Sequence, residues 1–209
     1  MKYYSQFEQD KYLNENIFKN RTTGYYVDIG AYDGVHCSNS YFFEEQGWAG
    51  VCVEPIEALF TDLVKQRTCK CIKGVVSDKD TDEVTFCQID GYCEMLSGIL
   101  DDYDDRHKVR IHTEQQAHGG SRTRISVKNY KFDDIVDSNV IDILDIDTEG
   151  NEKKILQSID FNKYTINAIL VENNYKDLEL TQLLLNKNFT PVKDLGCDEL
   201  YINNDFTYE

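Results

Sequence analysis

The sequence predicts an α/β protein: a doubly wound, mostly parallel sheet with helices on both faces and a C-terminal antiparallel strand. Three observations predict it. Short apolar runs alternate with helix-like stretches of about 8–12 residues, the pattern of strands joined by crossover helices. Those runs end in glycines or carboxylates, and ligands of such sheets bind beyond the carboxyl ends of the strands. The closing stretch carries two short strand-like runs close enough to pair as a hairpin.

The elements follow in order. Phe7, Tyr12, Leu13 and Ile17 are spaced for a helix from Phe7 to about Phe18. Tyr25 to Ile29 (YYVDI) reads as a buried strand running into a glycine-bearing turn. Ser38 to Gln46 reads as a helix, with Ser38 as cap and Gly47 as stop. Val51 to Val53 is a strand ending at Glu54-Pro55, Ile56 to Gln66 a helix, and Cys69 to Val76 a strand ending at Ser77-Asp78. Glu83 to Ile89 and Arg124 to Lys128 read as strands flanking a polar insert. The insert's stretch from Asp101 to Thr123 reads either as a solvated loop, part helical, or as a mobile segment that contacts substrate. Val140 to Ile146 is a strand ending in Asp147-Thr148-Glu149-Gly150, followed by a helix from Asn151 to Ser158. Asn167 to Val171 is a strand ending in Glu172-Asn173-Asn174, and Leu178 to Lys187 a helix. Thr190 to Val192 and Glu199 to Ile202 form the expected hairpin.

A length of 209 residues favours one domain over 1–209, with a helical segment at about 1–22 and an inserted, lid-like segment at about 91–123. The formal charge of −16 repels phosphate backbones, which argues against nucleic-acid partners. No stretch approaches the ~20 apolar residues of a membrane span, and the first residues lack the apolar core of a signal peptide. The 7 cysteines are odd in number and contain no CxxC, so they read as reduced thiols in a cytoplasmic protein.

The strand ends carry the chemistry. Asp28, Gly30, Ala31, Tyr32, Asp33 and Gly34 follow the first strand, and the glycines allow a tight turn close to a ligand. Glu54, with Pro55, ends the next strand about where an acidic residue accepts from both ribose hydroxyls. Ser77-Asp78 ends the third, placed to accept from an adenine amino group. Together these describe an adenosine pocket. Tyr32 stands where a pyrophosphate-binding turn needs glycine, and no G-x-x-x-x-G-K-[ST] occurs, so a diphosphate ligand is disfavoured. S-adenosylmethionine has no phosphate, and its sulfonium and ammonium groups suit an acidic turn.

With those residues in view, the chain resembles the FkbM-type methyltransferases. The matching segments are Ser5 to Asp10 (SQFEQD), Val27 to Ser40 (VDIGAYDGVHCSNS), Val53 to Pro55, Val75 to Asp80, Asp145 to Glu152 (DIDTEGNE) and Leu170 to Asn173. The resemblance implies a Rossmann-like domain that transfers a methyl group from S-adenosylmethionine to an oxygen. It adds Gln6 to the cofactor residues and implies sugar hydroxyls of glycans, such as a deoxyhexose like rhamnose, as acceptors. Tyr32 departs from the family's usual Asn, and the Asp101–Thr123 stretch matches nothing in the family pattern.

Methyl transfer to a hydroxyl needs in-line alignment and help with the leaving proton. Asp147 and Glu149 are the candidates for base or hydroxyl orienter. The plainer reading makes Asp147 a turn carboxylate and Glu149 a charge near a helix N-terminus. Asp147, Glu172 and Asn173 offer three oxygens suited to Mg²⁺ or Mn²⁺; alternatively Glu172-Asn173 binds acceptor hydroxyls or caps the next segment. His107, His112 and His118 read as solvated rather than catalytic. The competing functions are a metal-dependent methyltransferase of a small phenolic or other metabolite, a non-catalytic cofactor-binding module, and, weakest, a nicotinamide oxidoreductase. A module of a larger glycan-building enzyme is a further expectation.

Overall fold

The computed structural model describes residues 1–207. The chain opens with α1 (Gln9–Tyr12), continued as a wider π-helical turn over Leu13–Ile17, and enters β1 (Tyr25–Ile29). Then come α2 (Tyr41–Glu45), β2 (Ala49–Glu54), α3 (Glu57–Gln66), β3 (Lys70–Lys73) and β4 (Val75–Val76). The middle holds β5 (Glu83–Asp90), β6 (Gly98–Ile99), α4 (Asp105–His118) and β7 (Ser121–Tyr130). The last third is α5 (Phe132–Ile135), β8 (Val140–Ile146), α6 (Glu152–Ser158), β9 (Thr165–Glu172), α7 (Leu178–Asn186), β10 (Phe189–Leu195) and β11 (Asp198–Asn203).

Seven strands form one sheet in the order β10-β11-β9-β8-β1-β2-β3. The run from β9 to β3 is parallel, and β11 and β10 close it antiparallel. Chain order departs from β1 toward β2 on one side and toward β8 on the other. This makes the β1/β8 boundary the switch point, where a crevice opens at the strand ends. Successive residues of a strand point to opposite faces, and both faces are apolar. Val27, Ile29, Leu144 and Ile146 pack with Ile155 of α6 and Leu184 of α7 on one side. Tyr26, Cys52, Ile143 and Leu170 pack with Leu13, Phe43, Trp48 and Leu63 on the other.

A buried arginine ties the second layer to the first turn. Arg67, 5% exposed, bonds Glu44 at 2.6 Å, Ser40 Oγ at 2.8 Å, and both the Gly34 carbonyl and the Tyr26 hydroxyl at 2.9 Å. Ser40 in turn donates to Asp28. Helix α2, strand β1 and the β1 turn are thereby one hydrogen-bonded unit.

Several expectations are corrected. The strand expected over 69–76 splits at Gly74, whose φ is +152°; a Cβ there would lie 2.5 Å from the Lys128 carbonyl. Beyond the split, β4 leaves the main sheet and pairs with β7, in a second sheet ordered β4-β7-β5-β6. Helix α2 starts at Tyr41 and not at Ser38, because Ser38 Oγ accepts from the Tyr41 and Ser40 amides in a turn before the helix. The insert is folded: Asp104 caps α4 by accepting from the Arg106 amide at 2.7 Å. His107 and Ile111 are the helix's buried residues, and Ile111 joins Cys87, Ile89, Cys93, Leu96 and Tyr103 in a small separate core. His107 is therefore buried, contrary to the solvated reading, while His112 and His118 are exposed. All seven cysteines are free thiols. No helix among the described residues is long and apolar enough to cross a membrane.

Candidate active site

A cavity of about 370 Å³ opens at the carboxyl ends of β1, β2, β8 and β9. Its floor is fixed by backbone contacts. The Gly30 and Ala31 amides both donate to the Val53 carbonyl at 3.0 Å, and the Asp147 amide donates to Ile29 at 3.0 Å. Gly30 has φ +99°, and a Cβ on it would lie 1.8 Å from the Asp147 carbonyl. The turns after β1 and β8 touch there, and only glycine fits.

On the β2 side, Glu54 is 4% exposed. Its carboxylate accepts from the Tyr32 amide at 3.1 Å and the Ile56 amide at 2.8 Å. Burial outweighs both bonds and pushes its pKa up to about 8. Pro55 and Tyr32 line the cavity beside it, as does Gln6. Gln6 is held there because Asp10 accepts from the Tyr4 amide (2.6 Å) and Ser5 hydroxyl (2.5 Å), fastening the N-terminal segment against Cys37. Tyr32, in left-handed backbone (φ +52°), donates its hydroxyl to Glu94 of the insert. Asp33 is a turn former whose Oδ1 accepts from the Val35 and His36 amides at 2.9 and 2.7 Å. Gly34 turns with φ +86° against Leu63. Asp28 and Ala31 reach only a smaller recess below, shared with Asp145 and Asp147.

Ser77 and Asp78 do not line the cavity. The Ser77 hydroxyl is committed to Asn129 at 2.8 Å and accepts from the Lys79 amide, and Asp78 is exposed. The wall at that place is Val75, Val76 and Asn151. Asn151 donates to the Val76 carbonyl at 2.8 Å, while its Oδ1, like that of Asn39, is buried without a partner.

The β8 and β9 ends bring carboxylates together. Asp147, Glu149 and Glu172 offer oxygens that all lie within 4.8 Å of one another. Enclosure by the cavity walls, then the charges of Glu149 and Asp198, raises the Asp147 pKa well above the carboxylate range. Burial, then Asp147, does the same to Glu172. Glu149 has φ +58° and is pushed up to about 8 by burial, with Arg110 opposing. Its Oε2 accepts no hydrogen bond and faces His107 Nδ1 at 3.4 Å and Arg110 at 3.7 Å. Burial lowers the His107 pKa. Asn173 does not join the group: its amide donates to Glu199 at 3.0 Å and its Oδ1 accepts from the Asp177 amide at 2.7 Å. Glu149 takes the place that the sequence reading assigned to Asn173. Asp198, paired in register with Glu172 and bonded by Gln9 at 2.6 Å, was missed. Nothing in the sequence signals it, since β11 is buried from Asp198 to Ile202 without alternation.

A switch-point crevice bounded by a glycine turn, a strand-end acid and converging carboxylates defines a Rossmann-like α/β fold of the methyltransferase type. The chain belongs to the FkbM methyltransferase family: the family model described as Methyltransferase FkbM domain matches residues 28–191. Among solved structures, methyltransferase FkbM from Methylobacillus flagellatus KT superposes with TM-score 0.56 at 13% identity, over 95% of this chain and 48% of that one. This chain therefore spans about half the length of that structure. The fibrillarin/Nop5p complex matches with TM-score 0.43 at 16% identity, over 95% of this chain and 79% of that one. Comparison with curated proteins gives no match.

Proposed function

We propose that the chain is an S-adenosylmethionine-dependent O-methyltransferase acting on a hydroxyl, most consistently that of a sugar in a glycan or glycoconjugate. One observation carries the reading. The cavity is lined by Glu54, Glu94, Asp147, Glu149, Glu172 and Asp198, against Arg110 as its one Lys, Arg or His among the described residues. Several of these carboxylates are held above their usual pKa, which marks a site short of positive charge. A cationic sulfonium and ammonium relieve that shortage; a diphosphate aggravates it. The orphaned Asn39 and Asn151 oxygens supply acceptors for the two nitrogen donors of such a ligand.

When bound, the cofactor supplies a methyl group on a positively charged sulfur. Glu54 accepts from the ribose diol, and Gly30 lets the backbone close beneath. Asp147 and Glu149 orient the acceptor hydroxyl and take its proton at a carboxylate oxygen. Asp147, Glu149 and Glu172 also fit Mg²⁺ or Mn²⁺: three hard oxygen donors converge, and one of them lacks a partner. A cation there would lower the pKa of a bound hydroxyl. The same triad supports the second reading, a metal-dependent enzyme for a small phenolic or other metabolite.

The test is thermal unfolding with S-adenosylhomocysteine, with Mn²⁺ and after EDTA. A ligand confined to the folded state adds about 2.7 kcal/mol at a hundredfold excess over Kd. A Mn²⁺-specific rise should vanish in Glu172→Ala, which supports the cation. No shift with millimolar S-adenosylhomocysteine, in a chain that melts cooperatively, would overturn the methyltransferase reading.

A further inference from the structure

Resting on that reading, we propose that Arg110 recognises an acidic substituent of the acceptor, and that the acceptor is a sugar bearing a carboxylate, a uronic acid or its glycoside. Among the described residues, the cavity's single cation comes from α4, the helix of the insert. Arg110 follows Arg106 by one helical turn, so the two share a face of the helix. Their situations differ. Arg106 is spent: it bonds Asp104 at 2.9 and 2.8 Å and stacks over the Tyr175 ring at 4.5 Å. Arg110 keeps 41% of its side chain exposed, and its one ion pair, to Glu149 at 3.7 Å, is beyond hydrogen-bond length. Beside Glu149 and Tyr175, its planar fork makes no hydrogen bond of ordinary length among the described residues, and that fork matches a carboxylate in bidentate fashion.

Position separates this group from the cofactor. Glu54 ends β2, whereas Glu149, beside Arg110, follows β8, two strands across the sheet. The Tyr175 phenol lies near enough to Arg110 and Glu149 to feel both charges, and its hydroxyl is buried without a partner. A half-buried aromatic edge beside an unspent guanidinium suits a ring that carries an anion. A phosphate would bring two charges toward Glu149 and Glu172 against one guanidinium; a carboxylate brings one.

The experiment measures binding, and so does not depend on turnover. Chain saturated with S-adenosylhomocysteine is titrated with methyl β-D-glucuronide, methyl β-D-glucoside and glucose 6-phosphate, by calorimetry and by saturation-transfer NMR. The glucuronide should bind at least tenfold more tightly than the glucoside and the phosphate. Arg110→Gln should erase that preference, Arg110→Lys should restore only part of it, and neither should alter S-adenosylhomocysteine affinity. Equal binding of glucuronide and glucoside, or a preference that survives in Arg110→Gln, would overturn the proposal. So would phosphate binding best, and so would loss of S-adenosylhomocysteine affinity in Arg110→Gln, which would assign the arginine to the cofactor's own carboxylate. Failure of S-adenosylhomocysteine to bind the unaltered chain would instead defeat the methyltransferase reading itself.

Discussion

Replacing Glu54 by Gln should stabilise the ligand-free chain at alkaline pH and weaken its hold on cofactor. The carboxyl is buried and binds its proton up to about pH 8, against 4.5 for a free glutamate. Between those values the folded state holds more protons than the unfolded state, so stability falls as pH rises through the window. At 1.36 kcal/mol per pH decade, a difference of about 3.5 costs at most about 5 kcal/mol at alkaline pH. Gln removes that loss but turns one N–H toward the Tyr32 or Ile56 amide, at a cost of about 1–3 kcal/mol. The net should be a gain of about 2–4 kcal/mol near pH 9, turning into a loss of about 1–3 kcal/mol near pH 4. The assay is urea unfolding of both chains across that range. In the same variant, above about pH 8, losing a charged acceptor for the ribose diol should weaken S-adenosylhomocysteine by roughly ten- to a hundredfold, from about 1.5–3 kcal/mol. Parallel pH slopes for the two chains, or an unchanged cofactor affinity, would refute the reasoning.

Three further outcomes are expected. Gly30→Ala places a Cβ against the Asp147 carbonyl in left-handed backbone and should cost at least about 3 kcal/mol in urea unfolding; a loss under about 1 kcal/mol would contradict the contact. Arg67→Ala strands Glu44 and Ser40 in the interior and should cost about 3–5 kcal/mol, with a normal far-ultraviolet spectrum under native conditions. Tyr32→Phe and Glu94→Gln each cut the contact between the cofactor turn and the insert. Release of S-adenosylhomocysteine in stopped flow should quicken about fivefold, as expected for about 1 kcal/mol; unchanged release in both would separate the insert from cofactor retention.

The parallel sheet was legible because its central strands are apolar on both faces and each stops at a charge or a glycine. That Gly30, Tyr32, Glu54 and Asp147 line one cavity followed, since strand ends in such a sheet lie along one edge whatever the loops do. The departures share a cause: side-chain direction beyond a strand end is set by tertiary bonds. Asn173 turns to Glu199 and Ser77 to Asn129, and nothing in their neighbours' identities announces either. Gly74 read as part of a strand because the apolar run continues past it; the break comes from the close approach of Lys128. The sequence showed α4 only as a part-helical loop, because just His107 and Ile111 of its 14 residues are buried, too thin a stripe to show a 3.6-residue period. His107 was accordingly read as solvated, and Arg110 was not singled out.

The insert leaves β5 and returns to β7 at residues that face each other, Asp90 and Ser121, joined also through the Ser121 hydroxyl at 2.8 Å. Departure and return thus face each other across the ladder, and the segment between them packs Cys93, Leu96, Tyr103 and Ile111 into a small core shared with Cys87 and Ile89 of β5. That junction acts as a socket. A chimaera cut at 90 and 121 would exchange the segment that bears Arg110 while leaving the seven-stranded sheet as it is.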